Sequence, residues 1–182
     1  MIDTQRIQEI VMLEKKRTWA VEYAKTWIGT IYLWSGSDSF GMDCSGLIHE
    51  VLQSVGLEPH KFDSTANDLY IKYKPYKIDY LKEGCLVFWL KGNEAKHVEM
   101  AINSYQTIGA SGGGSPSMSV DKLSKEHPIL ALLPTWILKW LIGVYDAMNR
   151  DAFVKIRPVD YRGQGYKIVD PFLNIDTPGD PS

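Results

Sequence analysis

MDCSGLIHEVLQSVG, residues 42–56, places a cysteine at the start of an apolar helix. Apolar residues recur behind Cys44 at helical spacing: Leu47, Ile48, Val51, Leu52 and Val55. The unpaired N–H groups and the dipole at a helix start favour the thiolate form of Cys44. A thiolate is the nucleophile of cysteine enzymes and needs a base such as histidine nearby. The alternative is a small buried residue, the usual situation of a free cysteine.

Four histidines could supply that base. His97 stands at the start of a predicted strand that can bring it to Cys44. His49 lies five residues after Cys44 on the same helix and therefore projects to a different face. His60 and His127 are in proline-flanked loops, where we expect them to be solvated. A lone histidine on a strand is often only a surface residue, so on this pattern alone that alternative for His97 stays open.

Composition is that of one ordinary globular domain spanning residues 1–182. A hydrophobic content of 45% and a net charge of −2 argue against a dedicated nucleic-acid binder. Cys44 and Cys85 cannot form a disulfide framework, and we expect Cys85 to be a small buried residue at a strand start. We expect neither a metal nor a cofactor, because the histidines and cysteines lack ligand spacing. The first residues lack the basic and apolar stretches of a signal peptide.

Several further elements can be predicted from local patterns. A first helix ends near Gly29, and Asp63-Ser64-Thr65 is typical of the cap of a short helix through Tyr70. A glycine-rich loop is expected at 112–116. Predicted strands span Cys85–Leu90, His97–Ile102 and Gln106–Ala110.

Six segments together resemble the NlpC/P60 family of cell-wall cysteine peptidases. They are Tyr32-Leu33-Trp34-Ser35-Gly36, Asp43-Cys44-Ser45-Gly46-Leu47, Gly84-Cys85-Leu86-Val87-Phe88-Trp89, His97-Val98-Glu99-Met100, Thr107-Ile108-Gly109-Ala110-Ser111 and Ala152–Pro158. The last of them is similar to the closing strand of phage and prophage members. The resemblance implies an α+β, papain-like fold with a small antiparallel sheet packed against helices. Its core would span about 14–114 plus 152–172.

The resemblance also implies a site. Cys44 would be the nucleophile, its N–H a donor to the oxyanion, and His97 the base. Tyr32 occupies a position whose hydroxyl lies near the nucleophile, and it could equally be a half-buried aromatic of the turn. The substrate-binding surroundings would comprise Asp43, Ser45, Gly46 and Trp34. Of these, Asp43 is expected to cap the helix, and Trp34 to pack under the loop.

The third catalytic position departs from the family. Members commonly have a polar residue there, often histidine, and this chain has Gly109. Ser111, two residues on, or Glu99, which replaces a usual glycine and shares a strand face with His97, could orient the imidazole instead. A backbone carbonyl or water is the remaining alternative. On this basis Gly109→His is expected to be tolerated or to raise activity.

Pro128–Tyr145 is almost wholly apolar and has no counterpart in the family motif. It predicts a helical insertion at about 126–148, outside the catalytic core. Pro134 and Lys139 argue against a membrane span. A buried or partner-facing helix and an interfacial helix with Trp136 and Trp140 on one face stay open. Phage tail proteins or a membrane surface are the expected partners of this segment.

The function implied by the resemblance is hydrolysis of peptidoglycan stem peptides at the D-γ-glutamyl–diamino acid bond, by a thioester mechanism. A phage tail-associated or lytic enzyme is expected, present in the virion or in the bacterial cytoplasm before release and acting in the periplasm or cell wall. One alternative is a weak or inactive structural tail component of the same fold. A further alternative is a Cys–His acyltransferase.

Overall fold

A computed structural model describes residues 4–60, 64–112, 116–163 and 165–176. Its helices are α1 (Thr4–Thr26), α2 (Cys44–Ser54), α3 (Ala66–Tyr73), α4 (Val120–Glu126) and α5 (Thr135–Arg150). Its strands are β1 (Ser37–Asp38), β2 (Gly41–Met42), β3 (Lys77–Ile78), β4 (Leu86–Lys91), β5 (Glu94–Ala101), β6 (Gln106–Ser111), β7 (Phe153–Pro158) and β8 (Tyr166–Val169). Residue 63 of the predicted cap and residues 113–115 of the predicted glycine-rich loop lie outside the described residues.

Six of the strands form one antiparallel sheet in the order β3-β8-β4-β5-β6-β7, and β1 and β2 pair separately. Helices α1, α2 and α3 cover one face of the large sheet. The predicted α+β class is confirmed, and the three predicted central strands correspond to β4, β5 and β6. Strands β3 and β8 were not predicted as separate elements, because two and four residues give too short a pattern.

Strand β4 is apolar along nearly its whole length because both faces of the sheet are covered there. Alternate residues belong to the helical layer, among them Leu86, Phe88, Val98 and Met100. The others form a smaller cluster on the opposite face: Cys85, Val87, Trp89, Ala101 and Ile168. Cys85 is fully buried and free, directly before β4, so its predicted role as a small buried residue is confirmed.

Arg17 joins α1 to the segment that follows β8. Its Nη1 and Nη2 donate to the two carboxylate oxygens of Asp170 over 3.0 and 2.9 Å, and Nη1 also donates to the Glu83 carbonyl. Both charged side chains are buried. Removing one partner of such a pair typically costs about 3–5 kcal/mol, because the other charge stays buried. This bidentate ion pair therefore holds α1 against the segment that follows β8.

The apolar insertion is helical and bears exposed tryptophans, as predicted. Within it, α5 buries Leu138, Ile142 and Ala147 and leaves its opposite face exposed. A Cβ on Gly143 would lie 3.0 Å from Leu33 Cδ1, so α5 packs closely on the loop before α2. The expected position of the insertion outside the catalytic core stays a prediction, with α5 in contact with the loop before α2. Among the described residues, no helix has the length and apolarity to cross a membrane.

Candidate active site

Asp43 fixes the start of α2. It has extended backbone angles, and its Oδ1 accepts from the N–H of Gly46 over 2.7 Å and from the Ser45 hydroxyl over 3.0 Å. Its Oδ2 accepts from the N–H of Ser35 over 3.1 Å. The carboxylate thus caps the helix and ties it to the preceding loop, as predicted.

Gly46 allows the helix to approach that loop. A Cβ at this position would lie 2.2 Å from the carbonyl oxygen of Gly36, a distance no side chain tolerates. Both Ser45 and Gly46 are buried and have partners within the chain. Their geometry supports the helix start, and substrate contact by Asp43, Ser45 or Gly46 stays a prediction.

Cys44 is partly exposed and lies against β5. The N–H groups of Val98 and Ser45 are hydrogen-bond donors to its sulfur. Burial, and next the charge of Asp43, outweigh these donors and raise the pKa of Cys44 to about 11. The expectation of a resting thiolate is therefore wrong: at neutral pH the sulfur keeps its proton until a base removes it.

His97 is buried on β5, one residue before Val98, whose N–H donates to the sulfur of Cys44. Its Nε2 lies 2.8 Å from Oε1 of Glu99, so Nδ1 is the ring nitrogen that does not face this carboxylate, and its pairing with the thiol stays a prediction. Burial lowers the pKa of His97 below its ordinary value, although Glu99 acts in the opposite direction. A neutral imidazole at pH 7 is the form that a general base requires.

Glu99 occupies the space left by Gly109. The ladder between β5 and β6 comprises Met100↔Ile108 and Ala101↔Thr107, and Gly109 lies just beyond it. A Cβ on Gly109 would stand 2.3 Å from Glu99 Cγ and 2.7 Å from its Cδ. The side chain that orients the imidazole thus comes from β5 instead of β6. A histidine at position 109 would have to displace the Glu99 side chain, which counts against the expectation that it is tolerated or raises activity.

The Glu99 carboxylate is fully buried and well supplied with donors. Besides His97, Thr107 donates to Oε2 over 2.6 Å and the Tyr161 hydroxyl donates to Oε1 over 2.5 Å. Burial alone would raise the pKa of Glu99, but these hydrogen bonds and the charge of His97 lower it. Ser111 bonds Tyr161 over 3.3 Å. Of the two candidates for orienting the base, Glu99 is the one that contacts His97.

Three residues of this site were missed by sequence reasoning: Arg157 of β7 and Tyr161 and Arg162 of the following turn. Arg157 Nη1 lies 3.7 Å from Glu99 Oε1. The Tyr161 hydroxyl lies 3.5 Å from His97 Nε2 and accepts from Arg162 Nε over 2.5 Å. All three residues follow the insertion in the sequence. No distinctive local pattern marks them as functional, because tyrosine and arginine are common in strands and turns. Only the sheet topology brings them to His97.

Tyr32 is buried near Cys44. Burial, followed by the charges of Cys44 and Asp43, raises the pKa of its phenol, which therefore stays protonated. Trp34 is 57% exposed, so the expectation that it packs under the loop is wrong. Together with α4 and α5, these two residues line a cavity of about 180 Å³.

The remaining histidines lie away from this cluster. His49 is buried on α2, where its Nε2 lies 2.6 Å from the Ser64 hydroxyl. His60 and His127 are exposed, as expected for loop residues. Within the described ranges, no group of three or more His, Cys, Asp or Glu side chains could hold a metal ion.

A sequence profile of the NlpC/P60 family matches residues 29–132, more than half of the chain. The chain belongs to the NlpC/P60 family. Members of this family are cell-wall peptidases. The matched segment includes Cys44, His97, Glu99 and Gly109, and ends before α5 and the turn that bears Tyr161.

Two curated relatives share parts of the sequence. The γ-D-glutamyl-L-lysine dipeptidyl-peptidase of Bacillus subtilis (strain 168) is 29% identical over 117 residues, covering 64% of this chain and 36% of that protein. A probable endopeptidase NlpC homolog of Haemophilus influenzae is 35% identical over 94 residues, covering 51% of this chain and 48% of that protein. The matched regions thus span less than half the length of either relative.

Solved structures agree on the fold. The NlpC/p60 domain of peptidoglycan hydrolase SagA aligns over 84% of this chain and 97% of that domain, with a TM-score of 0.50 and 21% identity. An NlpC/P60 family protein from Bacillus cereus ATCC 10987 aligns over 81% of this chain and 36% of its own, with a TM-score of 0.54 and 18% identity. At these identities the likeness shows the NlpC/P60 fold, as predicted.

Proposed function

We propose that this chain is a cysteine peptidase that cleaves peptidoglycan stem peptides at the D-γ-glutamyl–diamino acid bond. The observation that supports it most is the buried His97–Glu99 pair beside a helix-start cysteine. The family is one of cell-wall peptidases, and the name of the Bacillus subtilis relative describes action on a γ-D-glutamyl-L-lysine unit. The bond is carried over from that relative as part of the proposal.

In the proposed reaction, His97 Nδ1 removes the proton of Cys44 as the sulfur attacks the peptide carbonyl carbon. The N–H of Cys44, at the first position of α2, has no intrahelical partner and can donate to the developing oxyanion. His97 then protonates the leaving amine, which gives a thioester. Water, deprotonated by the same imidazole, hydrolyses the thioester and regenerates the thiol.

Glu99 has a positioning role in this scheme. Its ionised carboxylate accepts from Nε2 and so fixes the tautomer with a free Nδ1. The same carboxylate stabilises the imidazolium that forms when Cys44 loses its proton. Thr107 and Tyr161 hold Glu99 in place. Glu99 in this role supports an active enzyme in spite of the glycine at position 109.

Glu99→Gln should lower kcat by about 10–100-fold, the range typical of groups that orient a catalytic residue. Because Glu99 raises the pKa of His97, its loss should also move the acidic limb of the pH–rate profile to lower pH. Ser111→Ala, which removes only a bond to Tyr161, is the matched control and should change kcat little. A fall in kcat with no shift of the acidic limb would contradict the assignment.

Gly109→His should also lower activity, because its Cβ would displace the Glu99 side chain. The double variant Glu99→Gly/Gly109→His restores the family's arrangement and should be more active than Gly109→His alone. Hydrolysis of a soluble stem peptide, with thermal unfolding as a check of folding, measures both. If the double variant were no better than the single one, the two positions would not share one role.

Digestion of purified sacculi tests the proposed activity directly. Mass spectrometry of the released fragments should show chains that begin with the diamino acid, together with the complementary fragments that end in D-glutamate. Transfer of the acyl group to an added amine in place of water would favour the acyltransferase alternative. Intact sacculi after incubation with folded protein would favour the structural alternative.

The proposal includes a phage setting, motivated by the likeness of residues 152–158 to the closing strand of phage and prophage members. In that setting the enzyme acts on the wall either from the virion tail or during lysis. Peptide mass spectrometry of purified virions distinguishes the two, because only a tail-associated enzyme would be found there.

The outer face of the insertion remains the expected contact with a tail protein or membrane surface. Leu132 is 85% and Trp136 61% exposed. The double variant Leu132→Gln/Trp136→Gln should reduce co-sedimentation with liposomes or association in gel filtration, while hydrolysis of soluble peptides is preserved. This variant is preferable to deleting residues 130–141, because the deletion removes the buried Leu138. Unchanged association in both assays would contradict the expectation.

A further inference from the structure

Arg162 is an exposed arginine held beside the catalytic pair. Its Nε donates to the Tyr161 hydroxyl, which in turn lies 3.5 Å from His97 Nε2. The guanidinium carbon stands 5.1 Å from the centre of the Tyr161 ring and 6.0 Å from that of Trp89. The Trp89 ring lies 5.5 Å from the imidazole of His97. Two aromatic rings and one hydrogen bond therefore fix a cation next to the base.

The two outer nitrogens of Arg162 are available for a ligand. Within the part of the chain that the structure describes, only Nε has a hydrogen-bond partner, and no carboxylate pairs with the guanidinium. Burial dominates the pKa shifts of Cys44, His97 and Tyr32, and in each of them the charge of Arg162 contributes a lowering. Its field thus reaches all three site residues.

The neighbouring Arg157 also lies over the Tyr161 ring, but it differs in burial and in its charged partner. Its guanidinium is mostly buried, lies 4.8 Å from the Tyr161 ring centre, and faces Glu99, whose negative charge it balances. Since Glu99 faces Arg157 and bonds His97, Arg162 is an exposed positive charge beside the catalytic pair, with no carboxylate partner among the described residues. An anionic group of a ligand could balance the charge of Arg162 and accept its hydrogen bonds.

A γ-linked glutamyl residue has such a group. Because its side-chain carbonyl forms the peptide bond, its α-carboxylate stays free, separated by three carbons from the carbon that Cys44 attacks. With Nε bonded to Tyr161, the planar guanidinium of Arg162 still presents the edge formed by its two outer nitrogens, which matches a carboxylate bidentately. We propose that Arg162 binds this α-carboxylate and so selects γ-glutamyl over amidated substrates. The inference rests on the proposed function, and it assigns Arg162 as a specificity-determining residue.

Paired substrates test this inference. One is a soluble stem peptide with a free α-carboxylate on its γ-linked glutamyl residue, and the other is the same peptide with an α-carboxamide. The wild type should favour the acid by about 10–100-fold in kcat/KM, as expected for a charge-assisted pair. Arg162→Gln should lose that preference through a higher KM for the acid, and Arg162→Lys should retain part of it. Arg6→Gln, an exposed arginine on α1, is the control and should keep the wild-type preference.

Calorimetric binding of both peptides to Cys44→Ala, with and without Arg162→Gln, separates this inference from the proposed function. A preference for the acid that depends on Arg162 supports the inference even if the wild type cleaves neither peptide, which would overturn only the proposed function. Two results would overturn the inference itself. One is an equal loss of kcat on both peptides, as expected if Arg162 only stabilised the thiolate. The other is an unchanged preference in a folded Arg162→Gln protein.

Discussion

Cys44→Ala should abolish hydrolysis of stem peptides, with a fall in kcat of about 10⁴–10⁶-fold. In the proposed reaction the Cys44 sulfur forms the acyl intermediate, whereas the Ser45 hydroxyl is bonded to Asp43. The cap that Asp43 makes, through Gly46 and Ser45, does not involve the thiol, so the fold should persist. Release of labelled fragments from sacculi, together with thermal unfolding, measures both expectations.

Cys85→Ala is the matched control. Cys85 is the other free cysteine, buried on the opposite face of the sheet, and its replacement should leave kcat nearly unchanged. Labelling with an alkylating reagent at raised pH should stop activity in the wild type and in Cys85→Ala alike. Activity that survives in Cys44→Ala, or is lost only in Cys85→Ala, would refute the assignment of the nucleophile.

His97→Gln should lower kcat by about 10²–10⁴-fold, the typical contribution of general acid–base catalysis. Because the pKa of Cys44 is raised to about 11, the sulfur depends on a base at neutral pH. In His97→Gln the remaining activity should therefore rise with pH as the thiol ionises by itself, whereas the wild type should already be active where His97 is neutral. The pH–rate profiles of the two proteins test this.

The other histidines give three controls. His60→Gln and His127→Gln alter exposed side chains and should leave kcat unchanged. His49→Gln should affect stability more than catalysis, because His49 bonds Ser64 within the fold. If any of them reduced kcat more than His97→Gln, the site would have to be rebuilt around that residue.

Much of this arrangement follows from local sequence. The cap at Asp43, the helix behind Cys44 and the capping box at Thr65 are short-range features, since each depends on residues within four positions. The strand that carries His97 was also predicted, although its pairing with Trp89 depends on a register shift between Trp89 and Leu90 that the hairpin turn alone does not determine.

The residue that orients His97 could not be identified from local sequence. Sequence numbering identified Gly109 as the odd position and left Glu99 and Ser111 as alternatives. The choice depends on whether a carboxylate from β5 fits the space above β6, and on Thr107 and Tyr161 supplying its hydrogen bonds. Tyr161 is 62 residues from Glu99, so no local sequence pattern predicts this hydrogen bond.

The ionisation state of Cys44 is another property that local sequence did not predict correctly. A helix start indicates a thiolate, but burial and Asp43, the same residue that caps the helix, act more strongly in the other direction. The burial of one face of α5 against Leu33 is likewise a tertiary effect, which apolarity alone cannot distinguish from contact with a partner.

The ion pair between Arg17 and Asp170 has a consequence for biosynthesis. Its partners are 153 residues apart, so a chain that ends before Asp170 would leave the Arg17 guanidinium without its buried carboxylate partner. A shorter nascent chain, ending before Tyr161, already contains Cys44, His97 and Glu99 but lacks the hydroxyl that holds Glu99. Cys44 and His97 are thus synthesised before Tyr161, which bonds Glu99, and before Asp170, which bonds Arg17. We therefore expect the full set of contacts around Glu99 and Arg17 to form only after Tyr161 and Asp170 have been synthesised.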